Sequence, residues 1–151
     1  MGIRSSGEDV ALRNILFVCK HNIFRSKIAE AYFKKINKDR KITIRSAGII
    51  RGDVLNKDQR EAVGLEKTIA KKFGIKIKAG FAGLSISLLK KQDLIIVAAD
   101  DVSKIIFNNK TYVKKVIHWK IKDYGFYGRG HTTNIIKQIM KKVDNLSKKL
   151  K

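Results

Sequence analysis

The sequence predicts an α/β fold: a three-layer arrangement in which a four-stranded parallel sheet is flanked by helices, with a Cys-x5-Arg loop after the first strand. Three observations predict it. Short apolar runs recur at residues 14–18, 42–44, 94–99 and 113–119. Stretches of helical apolar spacing separate them, and strands alternating with helices imply βαβ units with right-handed crossovers. Finally, a chain of 151 residues with no repeat and no linker argues for one core, burying roughly 68–70% of its unfolded surface.

Each element has its own local signal. Asn14-Ile15-Leu16-Phe17-Val18 is of buried-strand type and enters Cys19-Lys20-His21-Asn22-Ile23-Phe24-Arg25. From Ser26 the period changes: Ile28, Ala29, Ala31, Tyr32, Phe33 and Ile36 mark an amphipathic helix, with Ser26 as N-cap or first-turn residue. Ile42-Thr43-Ile44 reads as the second strand, stopped at Ser46-Ala47-Gly48. A helix is predicted over 58–73, with Ala62, Val63, Leu65, Ile69, Ala70 and Phe73 inward and Gly74 as its stop. Residues 75–83 fit neither period, and a short helix fits 85–91.

Residues 94–99 form the most continuous apolar run and so the central strand. Asp100 and Asp101 then open a helical stretch through Phe107, with Asp100 expected as its cap and a supporting role at the site as the alternative. The fourth strand is predicted over 113–119. A terminal helix follows from Thr132, with Ile135, Ile136, Ile139, Met140, Val143, Leu146 and Leu150 inward. Ligands of such sheets bind outside the carboxyl ends of the strands. Cys19, Ser46, Asp100 and the segment after Trp119 all fall on that rim.

Composition narrows the classes. With 44% hydrophobic and 8% aromatic residues the chain is not wholly disordered. A single cysteine excludes an intramolecular disulfide framework and any Cys-rich zinc module, and His21, His118 and His131 are too scattered for a metal site. No cofactor or metal is expected. The 34 Lys and Arg against 13 Asp and Glu give +21, which attracts acidic surfaces, polyanions and phosphorylated ligands without specifying a fold. Proline is absent throughout, so its absence from any one motif carries little weight.

No apolar run approaches the roughly 20 residues of a membrane span, and the N-terminal residues lack the apolar stretch of a secretory signal. A cytoplasmic location is expected. Residues 1–13 read as a flexible polar leader and 14–151 as a single domain. Met1-Gly2-Ile3-Arg4-Ser5-Ser6 matches the loose myristoylation pattern, so a membrane is an expected partner only if Gly2 is acylated.

The loop after the first strand carries the chemistry. A buried strand brings the Cys19 thiol to the sheet rim, and successive backbone N–H groups of Lys20, His21, Asn22, Ile23 and Phe24 can converge on one anion. The helix N-terminus at Ser26 adds a positive field, and Arg25 a planar fork that matches two phosphate oxygens. The same surroundings favour a thiolate. Such a loop would hold a phosphate monoester against a sulfur nucleophile, giving in-line attack on phosphorus. For a lone cysteine, Arg and then Ser or Thr at these spacings arise by chance roughly once in a few hundred.

The stretch Phe17-Val18-Cys19-Lys20-His21-Asn22-Ile23-Phe24-Arg25-Ser26-Lys27-Ile28-Ala29-Glu30-Ala31 resembles the signature of low-molecular-weight protein tyrosine phosphatases. The resemblance extends through Ser46-Ala47-Gly48, Asp58-Gln59-Arg60, the strand before Asp100 and Trp119-Lys120-Ile121-Lys122-Asp123. It implies Cys19 as nucleophile, Arg25 as ligand of the transferred phosphoryl group and Asp123 as general acid, then base. It further implies that Ser26 bonds the sulfur and that Asn22 and Ser46 brace the loop. A phosphorylated protein or small aryl phosphate is the implied substrate, with Ile23, Tyr124, Phe126 and Tyr127 as its wall. At the position of Ile23, isoleucine accompanies tyrosine-directed and threonine arginine-directed relatives, a lean toward phosphotyrosine.

Three departures stand out. The family usually has glycine where His21 stands, and histidine adopts a positive φ only at a cost that glycine avoids. Many members carry a protective second cysteine before the arginine, where this chain has Phe24. Proline normally follows the catalytic aspartate, whereas here the run is Asp123-Tyr124-Gly125-Phe126-Tyr127-Gly128-Arg129-Gly130.

Two rivals remain. Thiol-relay arsenate reductases share the fold and loop but need further cysteines for a self-contained relay. A basic module holding nucleic acid or another polyanion fits the charge, yet the lysines are spread along the chain rather than clustered beside aromatic platforms, so nucleic acid is not an expected partner.

Overall fold

The computed structural model describes residues 12–51, 55–122 and 131–150. Four parallel strands, β1 (Asn14–Cys19), β2 (Thr43–Gly48), β3 (Leu94–Val97) and β4 (Val116–His118), form one sheet in the order β2-β1-β3-β4. The helices are α1 (Arg25–Ile36), α2 (Lys57–Lys72), α3 (Ile86–Lys90) and α4 (Thr132–Lys149). Neighbours on both sides of β1 place the reversal of strand order at its carboxyl end, where open α/β sheets form a crevice.

Alternation along the strands splits the core in two. Ile15, Phe17, Leu94 and Ile96 face Ile28 and Phe33 of α1 and Ile136, Ile139 and Val143 of α4. Leu16, Val18, Ile95 and Val97 face the other way, onto Leu89 of α3, Phe107 and Tyr112. Burial of both faces explains why β1 and β3 read as continuous apolar runs rather than alternating ones.

Several boundaries differ from the sequence-based expectation. β2 does not stop at Ser46: Ser46, Ala47 and Gly48 pair with Phe17, Val18 and Cys19, because small residues fit the ladder beside the loop. Beyond Asp100 there is no α-helix but a 3-10 helix, Lys104–Phe107, whose Ile105 N–H is capped by Ser103, so Asp100 is not a cap. The predicted fourth strand is shorter, since Val113–Lys115 form a 3-10 turn before β4. In α2, opened by a reciprocal Asn56–Gln59 capping box, the buried stripe is narrow, with Ala62 and Ala70 at its centre. Leu65 lies at its margin and is 40% exposed, not inward. Residues 75–83 bury Ile75 and Ile77 without joining the sheet, apart from a bridge between Gly83 and Gly48. Among the described residues no helix is long and apolar enough to cross a membrane.

Candidate active site

β1 ends on Cys19, which is 2% exposed and held from both sides, by Gly48 in β2 and by the backbone leading out of β3. The chain then turns back sharply. The carbonyl of Lys20 accepts N–H bonds from Ile49 (2.9 Å) and Ile50 (2.8 Å), which ties the start of the loop to the end of β2. The left-handed conformation falls on Asn22 (φ 52°), not on His21, so the missing glycine at 21 costs no backbone strain of that kind. Asparagine is among the few residues that adopt it readily. Gly48 makes the turn fit: a Cβ there would lie 2.8 Å from the Asn22 Cβ and backbone nitrogen.

The Asn22 side chain organises the site. Its Oδ1 accepts the Ala82 N–H at 3.0 Å, which fixes the amide orientation and aims Nδ2 inward. Nδ2 then donates to Ser26 Oγ (2.8 Å) and Ser46 Oγ (3.0 Å). Ser46 Oγ in turn donates to Glu30 Oε1 at 2.6 Å. Ser26 Oγ lies 3.0 Å from Cys19 Sγ and accepts from the thiol. Since Asn22 already donates to Ser26, the hydroxyl proton of Ser26 can turn to a thiolate once the sulfur is deprotonated. Asn22, Ser26, Glu30 and Ser46 are all buried.

Ser26 is a first-turn residue of α1 rather than its cap. The cap position is Phe24, which offers no side-chain acceptor, and the first turn carries no acid. The positive end of α1 is therefore not neutralised by its own sequence. Arg25, 5% exposed, points its guanidinium at Asp101, with Nη2 donating to both carboxylate oxygens at 2.9 and 3.2 Å, and Nη1 donates to the Ile121 carbonyl at 2.8 Å. Asp100 is the weaker partner at 3.8 Å.

Lys27 is an unexpected member. It is buried and its Nζ donates to the carbonyls of Lys78 (2.7 Å) and Gly80, pinning the segment whose Ala82 N–H holds Asn22. Burial pushes Lys27 below the usual lysine range, and the nearby Glu30 carboxylate partly restores it.

The structure thus brings together Cys19, Asn22, Arg25, Ser26 and Ser46, with Lys20, His21, Ile23 and Phe24 half-buried around the loop. Asp123, Tyr124, Phe126 and Tyr127 lie outside the described residues.

The family model for low molecular weight phosphotyrosine protein phosphatases matches residues 14–151. The chain belongs to this family. The phosphatase also resembles solved structures whose sequences have diverged far. A low molecular weight protein tyrosine phosphatase from Streptococcus pyogenes superimposes with a TM-score of 0.73 at 19% identity, covering 93% of this chain and 94% of that one. The tyrosine phosphatase Wzb from Escherichia coli, solved with sulphate, gives 0.73 at 18% identity, covering 93% and 99%. An arsenate reductase from Archaeoglobus fulgidus gives 0.66 at 24% identity, covering 87% and 97%. At these identities the likeness is one of fold. No curated protein sequence matches the phosphatase.

Asp101, Glu30 and Lys27 escaped the sequence reading. Glu30 did leave a signal: with Ser26, Ala29 and Phe33 it falls on one helical stripe, a carboxylate on an otherwise inward face. Which of two adjacent aspartates would meet Arg25 left none.

Proposed function

We propose that the phosphatase hydrolyses phosphomonoesters, protein phosphotyrosine foremost, through a covalent cysteinyl-phosphate on Cys19. The Cys19–Ser26 contact, beneath a loop fixed by Asn22 and beside Arg25, is the observation that carries this reading. The substrate phosphoryl group sits over the loop, at the N-terminus of α1, with Arg25 along its oxygens. The Cys19 thiolate attacks phosphorus in line; the S–P bond forms as the P–O bond to the leaving group breaks. Asp123, as the carboxylic acid, gives its proton to the departing oxygen. Its carboxylate then takes a proton from water, whose oxygen attacks phosphorus as the P–S bond breaks, releasing inorganic phosphate and the thiolate. Ser26 donates a hydrogen bond to the departing sulfur.

Two features support Asp123 in this role. It matches the family's acid by motif position, and Ile121, two residues before it, hands its carbonyl to Arg25. Ile23, half-buried on the loop, supports an aromatic phosphate as substrate.

Hydrolysis of aryl phosphates tests the proposal. Turnover should vanish in Cys19→Ser and be inhibited competitively by vanadate. Asp123→Ala should lose far more kcat on phenyl phosphate than on an ester with an activated leaving group. Equal losses on both would remove Asp123 from the mechanism, and full activity in Cys19→Ser would overturn the whole reading. Phosphotyrosyl and phosphoarginyl peptides compared side by side decide the substrate class.

A further inference from the structure

Beside the catalytic loop lies a groove of about 330 Å³, at the lower end of cavities that take small ligands. Ile23 of the loop forms one wall, so the groove opens where a bound substrate's neighbouring residues would run. The other walls bring cations from three elements: Lys27 of α1, Arg60 and Lys67 of α2, and Lys78 of the segment that Lys27 pins. Gly64 also lines the groove, beside open space.

Among the described residues the charge is compensated only in part, by Glu30 near Lys27. No carboxylate is among the described lining residues, and among the described residues no ion pair engages Arg60, Lys67 or Lys78. Lys67 and Lys78 are close enough to Lys27 to disfavour its positive form, so these like charges act on one another. A cationic concavity with low-dielectric walls concentrates anions. The described lining contains no aromatic side chain, which disfavours stacked bases of a nucleic acid.

We propose that this groove is a specificity subsite that receives a carboxylate side chain, Asp or Glu, flanking the phosphorylated residue of a protein substrate. The inference rests on the phosphatase reading above and adds its sequence preference. Arg60, whose Nη1 donates to the Leu55 carbonyl at 2.8 Å and which keeps its other N–H donors, and Lys67 supply the contacts. Lys27, whose Nζ already donates to two carbonyls, supplies field rather than contact. The phosphoryl group is held by the loop and the flanking acid by the groove, so one short peptide engages both.

The test uses phenyl phosphate and two phosphotyrosyl peptides of equal length, one flanked by Glu and the other by Gln. The wild-type protein should favour the Glu peptide by about fivefold in kcat/KM at low salt, the scale of two or three exposed ion pairs, and lose that preference in high salt. Arg60→Gln/Lys67→Gln should bring the ratio below about twofold while turning over phenyl phosphate within about twofold of wild type. Lys137→Gln/Lys141→Gln, which removes the same charge from exposed positions on α4, should keep the preference. Equal turnover of the two peptides by the wild type, or equal loss of preference in both variants, overturns the subsite while leaving the enzyme intact. Absence of phenyl phosphate hydrolysis overturns the phosphatase reading and the subsite with it.

Discussion

Replacing Asn22 separates two contributions to the loop, its hydrogen bonds and its backbone. Asn22→Ala removes three side-chain bonds, those to Ser26, Ser46 and Ala82. At about 1 kcal/mol each they contribute about 3 kcal/mol, and the Ala82 N–H loses its acceptor. Alanine must also hold φ at 52°, which adds about 1–2 kcal/mol. The expected destabilisation is about 4–5 kcal/mol, a large part of a typical domain's about 5–15 kcal/mol. Asn22→Gly loses the same bonds but not the strain; after its greater unfolded-state entropy is set against that, it should be more stable than Asn22→Ala by about 0.5–1 kcal/mol. Urea unfolding reads both. With a slope of about 2 kcal/mol/M, the alanine midpoint should fall by about 2–2.5 M and the glycine midpoint slightly less. An alanine variant that unfolds with the wild type, or outlasts the glycine variant, would refute the network as the support of the loop.

Three further outcomes follow from single contacts. Asp101→Ala takes both carboxylate bonds from buried Arg25 and should cost about 1.5–3 kcal/mol in urea unfolding together with much of kcat/KM, whereas Asp100→Ala, at 3.8 Å, should cost clearly less; equal effects would contradict the assignment. Gly48→Ala drives a Cβ into backbone atoms of Asn22 and His21 and should lower stability by about 1–3 kcal/mol, visible as a lower melting temperature; an unchanged one would mean that the loop yields freely. Tyr32 is pushed up to about 12, first by burial and then by its 2.7 Å bond to Asp144. Above pH 10 the unfolded chain sheds that proton while the native state keeps it, so this stability is full below 10 and drains away toward pH 12. Tyrosinate absorbance should show one late-titrating tyrosine that Tyr32→Phe removes.

The strand–loop–helix unit was legible because three local signals agree there: an apolar run, a change of period and a chemically unusual loop. The inward face of α4 was equally plain, since Ile135, Ile136, Ile139, Val143 and Leu146 repeat at helical spacing. What escaped depends on tertiary placement. Leu65 has the chemistry of a core residue, but α2 rests on two alanines and leaves it at the margin. The stretch after Asp100 carries helix-compatible residues, yet only a 3-10 turn forms there, while Asp101 is drawn to Arg25. The left-handed residue was sought at His21 by analogy with a family glycine; the hydrogen bonds of Asn22 put it one position later.

The arginine of the loop is steered by groups 76 and 96 residues further along the chain, and the asparagine by one 60 residues away. During synthesis the nucleophile emerges early, but the two groups that aim its arginine arrive only after the third and fourth strands, respectively, have been made. A nascent or truncated chain carries the thiol without its aiming groups, and catalytic competence becomes a property of the finished molecule. Recovery of turnover during refolding would therefore trail the first helical signal and report closure of the whole sheet.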